Sequence, residues 1–281
     1  PGPQPLKDCI YNLEKILESK KDGDQLTSLE VHDMNCFIAD AVLAGGIRRA
    51  AMISLFDFDD EEMISCKSGN WWELNPQRAR SNNSAMILRH RIKKEEFFAY
   101  WEKIKSSKAG EPAFVLSNSV SYIYNPCVEA SLKVGQFCNL TTINISTIEN
   151  QEDLNARAKA AAFIGTLQAG YTDFHYLRDF WKKNTEKDAL IGVSQTGIAS
   201  MAYVGCDLTE AANEVVAENK RVASLIGIKT AARQTLGKPE GTSSLVLGTS
   251  SGIHAWFDSF YMRRMKIEKN EAIYTYLNDK F

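Results

Sequence analysis

An α/β fold built on parallel strands is what this 281-residue chain predicts, on three observations. Helical and extended signals alternate along the chain with no long low-complexity linker between them. Amphipathic stretches at helical spacing are followed by short runs rich in β-formers. A composition of 44% hydrophobic and 24% charged residues is ample for a large core and ordinary for such a protein. Periodicity alone leaves open whether the strands form an open sheet or a closed barrel.

Taken in order, Met34, Phe37, Ile38, Ala41 and Val42 recur at i, i+3, i+4, i+7 and i+8, a helix that Gly45-Gly46 should stop. Ile47 to Phe56 should follow as a strand, being apolar toward its end and rich in β-formers. Asn75 to Ser84 is polar, carries two arginines, and reads as a loop between Trp71-Trp72 and the apolar Ala85 to Leu88. His90 sits in a short basic run that begins a solvated helix. Phe97, Trp101 and Ile104 mark an amphipathic helix, and Asn139 to Ile145 reads as a strand. Residues 152–169 and 209–233 are Ala-rich and predict helices, while Leu190 to Val193 and Ser243 to Leu247 are short candidate strands.

Several function classes fall away. A net charge of -2 gives no electrostatic reason to expect nucleic acid or an acidic membrane, and the basic run is too short for a nucleic-acid surface. Six cysteines, unevenly spaced, fit a reducing compartment such as the cytoplasm better than a secreted disulfide scaffold. The four histidines and the cysteines show no Cys-x2-Cys or His-Glu-x2-His spacing, so no metal site is expected. No apolar run approaches the roughly 18 residues of a membrane span. Pro-Gly-Pro-Gln-Pro at the start has neither an initiator methionine nor a signal-peptide pattern, and reads as a cut edge or a linker.

The most informative segment is Tyr124-Asn-Pro-Cys-Val-Glu129, followed eleven residues after its cysteine by Cys138 in Phe137-Cys-Asn-Leu140. Pro126 pushes Asn125 into an extended conformation and cannot donate a backbone hydrogen bond. In an extended backbone Asn125, Cys127 and Glu129 project to one side, so an amide and a carboxylate can grip vicinal hydroxyls while the sulfur reaches the carbon between them. Singly, such residues are a turn and a small apolar filler. A second segment, Lys238-Pro-Glu-Gly-Thr-Ser-Ser244, lies between a predicted helix and a predicted strand. Gly241 allows close backbone approach, and the amides and hydroxyls of Gly241, Thr242, Ser243 and Ser244 can form a concavity for phosphate oxygens, although Walker-loop spacing is missing. Glu240 would repel a phosphate unless its side chain turns to solvent. In the third segment Arg78 and Arg80 can meet phosphate or a base edge, and Gln77 can read a base.

Together these residues resemble the ribonucleotide reductases, and are most similar to the monomeric, adenosylcobalamin-dependent class that reduces ribonucleoside triphosphates. The short spacing from Cys127 to Cys138 favours that class, since the iron-dependent one usually has a longer insertion there. The resemblance implies a partial ten-stranded α/β barrel with a central finger loop, of which residues 1–281 would be the central part of one catalytic domain. It implies that adenosylcobalamin chemistry makes Cys127 a thiyl radical, that Asn125 holds the ribose hydroxyls, that Glu129 is the base, and that Cys138 is half of a reducing dithiol. Glu240 to Ser244 would hold the substrate phosphates. Gln77, Arg78 and Arg80 would carry the choice of deoxynucleotide effector into the choice of ribonucleotide. A thioredoxin-like reductant would be a further partner.

The other cysteine of the dithiol has no counterpart here, so N-terminal strands and a C-terminal tail should come from elsewhere. Cys9, Cys36, Cys66 and Cys206 are assigned to packing, and His254 to the barrel lining. The alternatives are another reductase class, a related thiyl-radical enzyme, or an inactive nucleotide-binding fragment.

Overall fold

The computed structural model describes residues 2–42, 50–262, 269 and 271–281, and these divide into two compact units. The first comprises residues 1–120 together with 262–281, the second Ser121–Tyr261.

The first unit opens with two helices, α1 (Gln4–Glu18) and α2 (Ser28–Ala41). Thr27 caps α2 in a reciprocal box with Glu30, each side chain satisfying the other's backbone N–H. The glycines expected to stop this helix lie outside the described residues, as does the start of the strand expected from Ile47. That strand is β1 (Met52–Asp57), followed by two short helices, α3 (Glu61–Ser65) and α4 (Trp71–Leu74). The polar stretch expected as a loop is instead a 3-10 turn, Pro76–Arg80, running straight into β2 (Ser81–Leu88). Neighbouring strands supply the reason: Ser81 to Ala85 pair in parallel register with Met52 to Phe56, so even polar Asn82 and Asn83 are held in a ladder. His90 lies in a turn before α5 (Lys94–Ser107), which leads to β3 (Ala113–Ser117) and completes a parallel sheet of order β1-β2-β3. The core under α5 is Phe56, Met63, Ile64, Ala85, Ile87 and Tyr100. On α5, Tyr100 takes the buried place, while Trp101 is half exposed and meets Phe114 edge-on.

The second unit begins with a two-stranded antiparallel hairpin, β4 (Ile123–Tyr124) and β5 (Ser131–Leu132). Then come β6 (Asn139–Asn144), α6 (Gln151–Ala169), α7 (Asp179–Asp188), β7 (Ile191–Thr196), α8 (Leu208–Ile226) and the single turn α9 (Ser243–Val246). Strands β6 and β7 are parallel, with Leu140 opposite Gly192 and Thr142 opposite Ser194. One face of the pair, carrying Ile143, Ile191 and Val193, packs on α6 and α8 through Leu154, Ala158, Ala162 and Val215. Small residues on α6 permit this closeness: a methyl at Gly165 would already touch Ile191 at 3.5 Å. Helix α10 (Ala272–Lys280) ends the chain and groups with the first unit.

Two expectations fail in the second unit. The helix expected to run to residue 233 ends at Ile226, because Gly227 adopts a left-handed conformation (φ +73°). The chain then turns back along β7, and buried Asn219 fixes the return. Its amide donates to Thr166 Oγ1 (2.8 Å) and its carbonyl oxygen accepts from the Ala231 N–H (2.9 Å), tying α8, α6 and the returning segment together. The candidate strand from Ser243 is instead α9, since no ladder is offered to it: residues 233–236 take the edge of β7, with Ile191, Val193 and Leu236 N–H groups donating across the gap.

Candidate active site

Asn125 to Glu129 form the tip of the β4–β5 hairpin and are not extended. The Val128 N–H donates to the Asn125 carbonyl (2.8 Å), closing a turn with Pro126 at its second position, where a fixed φ suits it. Asn125 Oδ1 accepts from the Ala130 N–H (2.9 Å), which locks the turn from inside. Val128 pays with φ +64°, a region a β-branched residue enters only under constraint. Alternation of faces therefore does not apply across these residues. Cys127 is exposed at the tip, while Glu129 turns inward and both its carboxylate oxygens are buried without a hydrogen-bond partner.

The inward turn carries Glu129 into a cavity of about 170 Å³ whose walls include Cys138, Leu190, Arg233, Thr235 and Leu236. Three separate stretches thus meet: the hairpin, the residue just before β6, and the segment returning along β7. Burial pushes the Cys138 thiol up to about 11, the Glu129 carboxylate adds to that, and the Lys238 ammonium opposes it. No disulfide joins any of the six cysteines. The lining residues Arg233, Thr235 and Leu236 were not singled out from sequence; the polar run that follows the Ala-rich helix was the available signal.

The segment assigned to phosphate behaves differently from expectation at Glu240. Its side chain is 2% exposed rather than in solvent, with φ +54°, one oxygen accepting from the Ser243 hydroxyl and the other buried without a partner. Ser244 is buried as well, and its N–H donates to the Glu240 carbonyl (3.2 Å). Gly241 and Thr242 are exposed. The Lys238 N–H donates to Ser194 Oγ (3.1 Å), docking the segment on β7.

In the first unit, Arg78 is committed to the fold. It donates to both carboxylate oxygens of Asp33 (2.8 and 2.7 Å) and to the Cys66 carbonyl (2.8 Å), so the expected ligand contact gives way to a buried fork. Burial pushes the Asp33 carboxyl up, but hydrogen bonds from Arg78 and His32 outweigh it and hold the group at about 2. Arg80 pairs with Asp40, and Gln77 is buried. Cys36 and Cys66 are buried beside them, and burial raises the Cys36 thiol to about 12. Cys9 is buried and Cys206 packs on the second unit's core. His254 is exposed, with its ring nitrogen 3.2 Å from the Ser251 carbonyl, and does not line an interior. Among the described residues no three His, Cys, Asp or Glu side chains converge as a metal site.

No family model matches the chain. Its curated relatives are adenosylcobalamin-dependent ribonucleoside-triphosphate reductases. The one from Lacticaseibacillus paracasei is 26% identical over 97% of this chain and 42% of its own length. The one from Lactobacillus leichmannii is 25% identical with the same coverage. The chain therefore spans about two fifths of the length of the relatives it matches. A crystal structure of a B12-dependent, class II ribonucleotide reductase superposes with a TM-score of 0.71 at 22% identity, over 90% of this chain and 40% of that one. The α subunit of the Actinobacillus ureae class Id reductase gives 0.56 at 14% identity, over 88% and 56%. The α/β fold, with its two sets of parallel strands, is that of these catalytic subunits. Sequence and fold together put this chain among the relatives of the ribonucleotide reductase catalytic domains, on the side of the adenosylcobalamin-dependent ribonucleoside-triphosphate reductases.

Proposed function

We propose that this chain forms the central part of one catalytic domain that reduces ribonucleotides, as triphosphates, to 2′-deoxyribonucleotides by a thiyl-radical mechanism in the reducing cytoplasm. The observation that carries the reading is the hairpin: it exposes Cys127 at its tip and, two residues on, buries an unpartnered carboxylate in the cavity that holds Cys138. The rest of the barrel, with the second cysteine of the dithiol, comes from outside these residues.

The exposed sulfur fits a cofactor that must reach it from outside the unit, and the tip, Cys127 with Val128, is where adenosylcobalamin would meet the chain. That cofactor, when bound, supplies the removal of a hydrogen atom from the Cys127 thiol. The Cys127 thiyl then takes the 3′ hydrogen of the ribose. Asn125 has its carbonyl oxygen occupied by Ala130, which leaves its NH2 to donate to a sugar hydroxyl. Glu129 accepts the 3′-hydroxyl proton; its unpartnered oxygens supply the acceptor. Loss of the 2′ hydroxyl as water follows, Cys138 with its partner cysteine delivers two electrons and two protons to the sugar and ends as a disulfide, and the Cys127 thiol returns the hydrogen to C3′, which regenerates its thiyl. A thioredoxin-like dithiol restores it.

The phosphates rest on the exposed backbone of Gly241 and Thr242, with Ser243, Ser244 and Glu240 shaping the turn from beneath. Gln77, Arg78 and Arg80 act in specificity by holding the 3-10 turn against α2, through which a deoxynucleotide effector would work.

The test is reconstitution: this chain, the remaining segments of a class II reductase, adenosylcobalamin, a dithiol and a ribonucleoside triphosphate. Deoxynucleotide should form, and Cys127→Ala should lower turnover by roughly three orders of magnitude or more while nucleotide affinity persists. Equal turnover from Cys127→Ala would overturn the proposal.

A further inference from the structure

Glu240 stands in a turn assigned to phosphate, and the fold keeps its carboxylate from leaving. The Lys238 N–H is fixed to Ser194 Oγ on β7 (3.1 Å), the Pro239 carbonyl accepts from the Ser251 hydroxyl, and a methyl at Gly252 would strike that carbonyl at 2.8 Å. Next to these contacts Glu240 adopts φ +54° and stays buried instead of swinging to solvent. Its Oε1 is buried without a partner, and its Oε2 accepts from the Ser243 hydroxyl. Ser243 is half-buried beside exposed Gly241 and Thr242, and a hydroxyl has a single hydrogen to donate. While that hydrogen is given to Glu240, it is withheld from any phosphate on the turn. A buried carboxylate with an unmade hydrogen bond costs more than its neutral acid, and a second anion nearby raises that cost.

We propose that Glu240 is a positioning residue that works as its neutral acid, taking up one proton from solvent when the triphosphate binds and so releasing the Ser243 hydroxyl to hold a phosphate oxygen. This role rests on the phosphate assignment of the same turn. In the free chain the Ser243 O–H donates to Oε2. On binding, a solvent proton adds to Oε2, the new O–H donates to Ser243 Oγ, and the Ser243 hydrogen turns to the phosphate. No bond between heavy atoms changes, and the complex gains one proton. The hydrogen bond within the pair is reversed, Oε1 becomes the carbonyl oxygen of an uncharged group, and the phosphate receives a charge-assisted donor. Lys238 on the same segment, and His254, whose N–H donates to the Ser251 carbonyl (2.8 Å), are the titratable groups around the turn. Strands β6 and β7, the turn α9 and residues 249–252 carry none.

The test is calorimetry of cytidine triphosphate binding to the wild-type chain and to Glu240→Gln, in buffers of different ionisation enthalpy. At about pH 7.5 the wild type should take up about one proton per triphosphate that Glu240→Gln does not, since the neutral amide of that variant stands in for the acid. By about pH 8.5 the wild-type affinity should have fallen about tenfold relative to that of Glu240→Gln. The ligand's own titration cancels in the comparison. Adding Ser243→Ala to Glu240→Gln should weaken binding about tenfold or more, the loss of a hydrogen bond to a charged group. A carboxylate that only shapes the turn would give the same proton count in both proteins. If Glu240→Gln fails to fold by circular dichroism, the wild-type count decides alone: about one proton supports the proposal and none overturns it. Equal proton counts in the two proteins, no loss from the added Ser243→Ala, or no binding by either protein likewise overturns it. The reductase reading still stands or falls on deoxynucleotide formation.

Discussion

In the first unit Arg78 and Asp33 meet through a two-pronged hydrogen bond, Lys67 is paired with Glu111, and His32 Nε2 lies 3.2 Å from Asn83 Oδ1. In the second unit Glu129 buries both carboxylate oxygens with no partner, and Glu240 buries one. Every buried side-chain polar atom that lacks a partner among the described residues, including the hydroxyls of Thr141 and Thr142, belongs to the second unit. An unmade hydrogen bond on a buried polar group costs about 1–3 kcal/mol, and more for a charge. The first unit has paired its buried side-chain polar atoms, whereas the second leaves the carboxylate oxygens of Glu129, one of Glu240 and the hydroxyls of Thr141 and Thr142 without a partner among the described residues.

Substitutions should therefore act on different observables in the two units. The largest effect is expected at Glu129: Glu129→Gln should cut turnover of the reconstituted enzyme by roughly 10²–10⁴-fold. Its melting temperature should not fall, because the Glu129 carboxylate oxygens make no hydrogen bond that the substitution would remove. A marked loss of stability with turnover intact would break the contrast.

The converse applies to Asp33→Ala, which strands the Arg78 guanidinium and should cost about 3–5 kcal/mol by denaturant unfolding. Because the folded-state carboxyl of Asp33 is held at about 2, below the unfolded value of about 3.9, its contribution is fully present above about pH 4. It is lost as pH falls through about 2. Acid titration of Asp33→Asn should accordingly show a flatter stability profile over that window than the wild type. Parallel profiles would remove Asp33 from the account.

What was legible in the sequence follows the same division. Short-range identities were: the hairpin residues, the spacing to Cys138, and helices α2, α5 and α6 all emerge from local pattern. Long-range pairing was not. Nothing near Arg78 announces a partner 45 positions upstream, so a guanidinium in a polar stretch reads as a ligand contact until Asp33 is seen beside it. The burial of Glu240 is equally non-local, since it depends on the segment docking against β7 through Ser194. Local conformation misled where a residue defied its own preference. Val128 at positive φ turns Glu129 inward, and a β-branched side chain gives no warning of that. Ser243 to Leu247 satisfies strand and helix patterns alike over so few residues, and the occupied edge of β7 decides between them.

The proposed reduction requires Cys127 to carry the radical. Electron paramagnetic resonance of the reconstituted reductase, frozen during turnover with adenosylcobalamin and a ribonucleoside triphosphate, tests that directly. A sulfur-centred radical signal that is present in the wild type and absent in Cys127→Ala is the predicted result. The same signal persisting in Cys127→Ala, or deoxynucleotide formation that needs an iron-containing partner and no cobalamin, would contradict it.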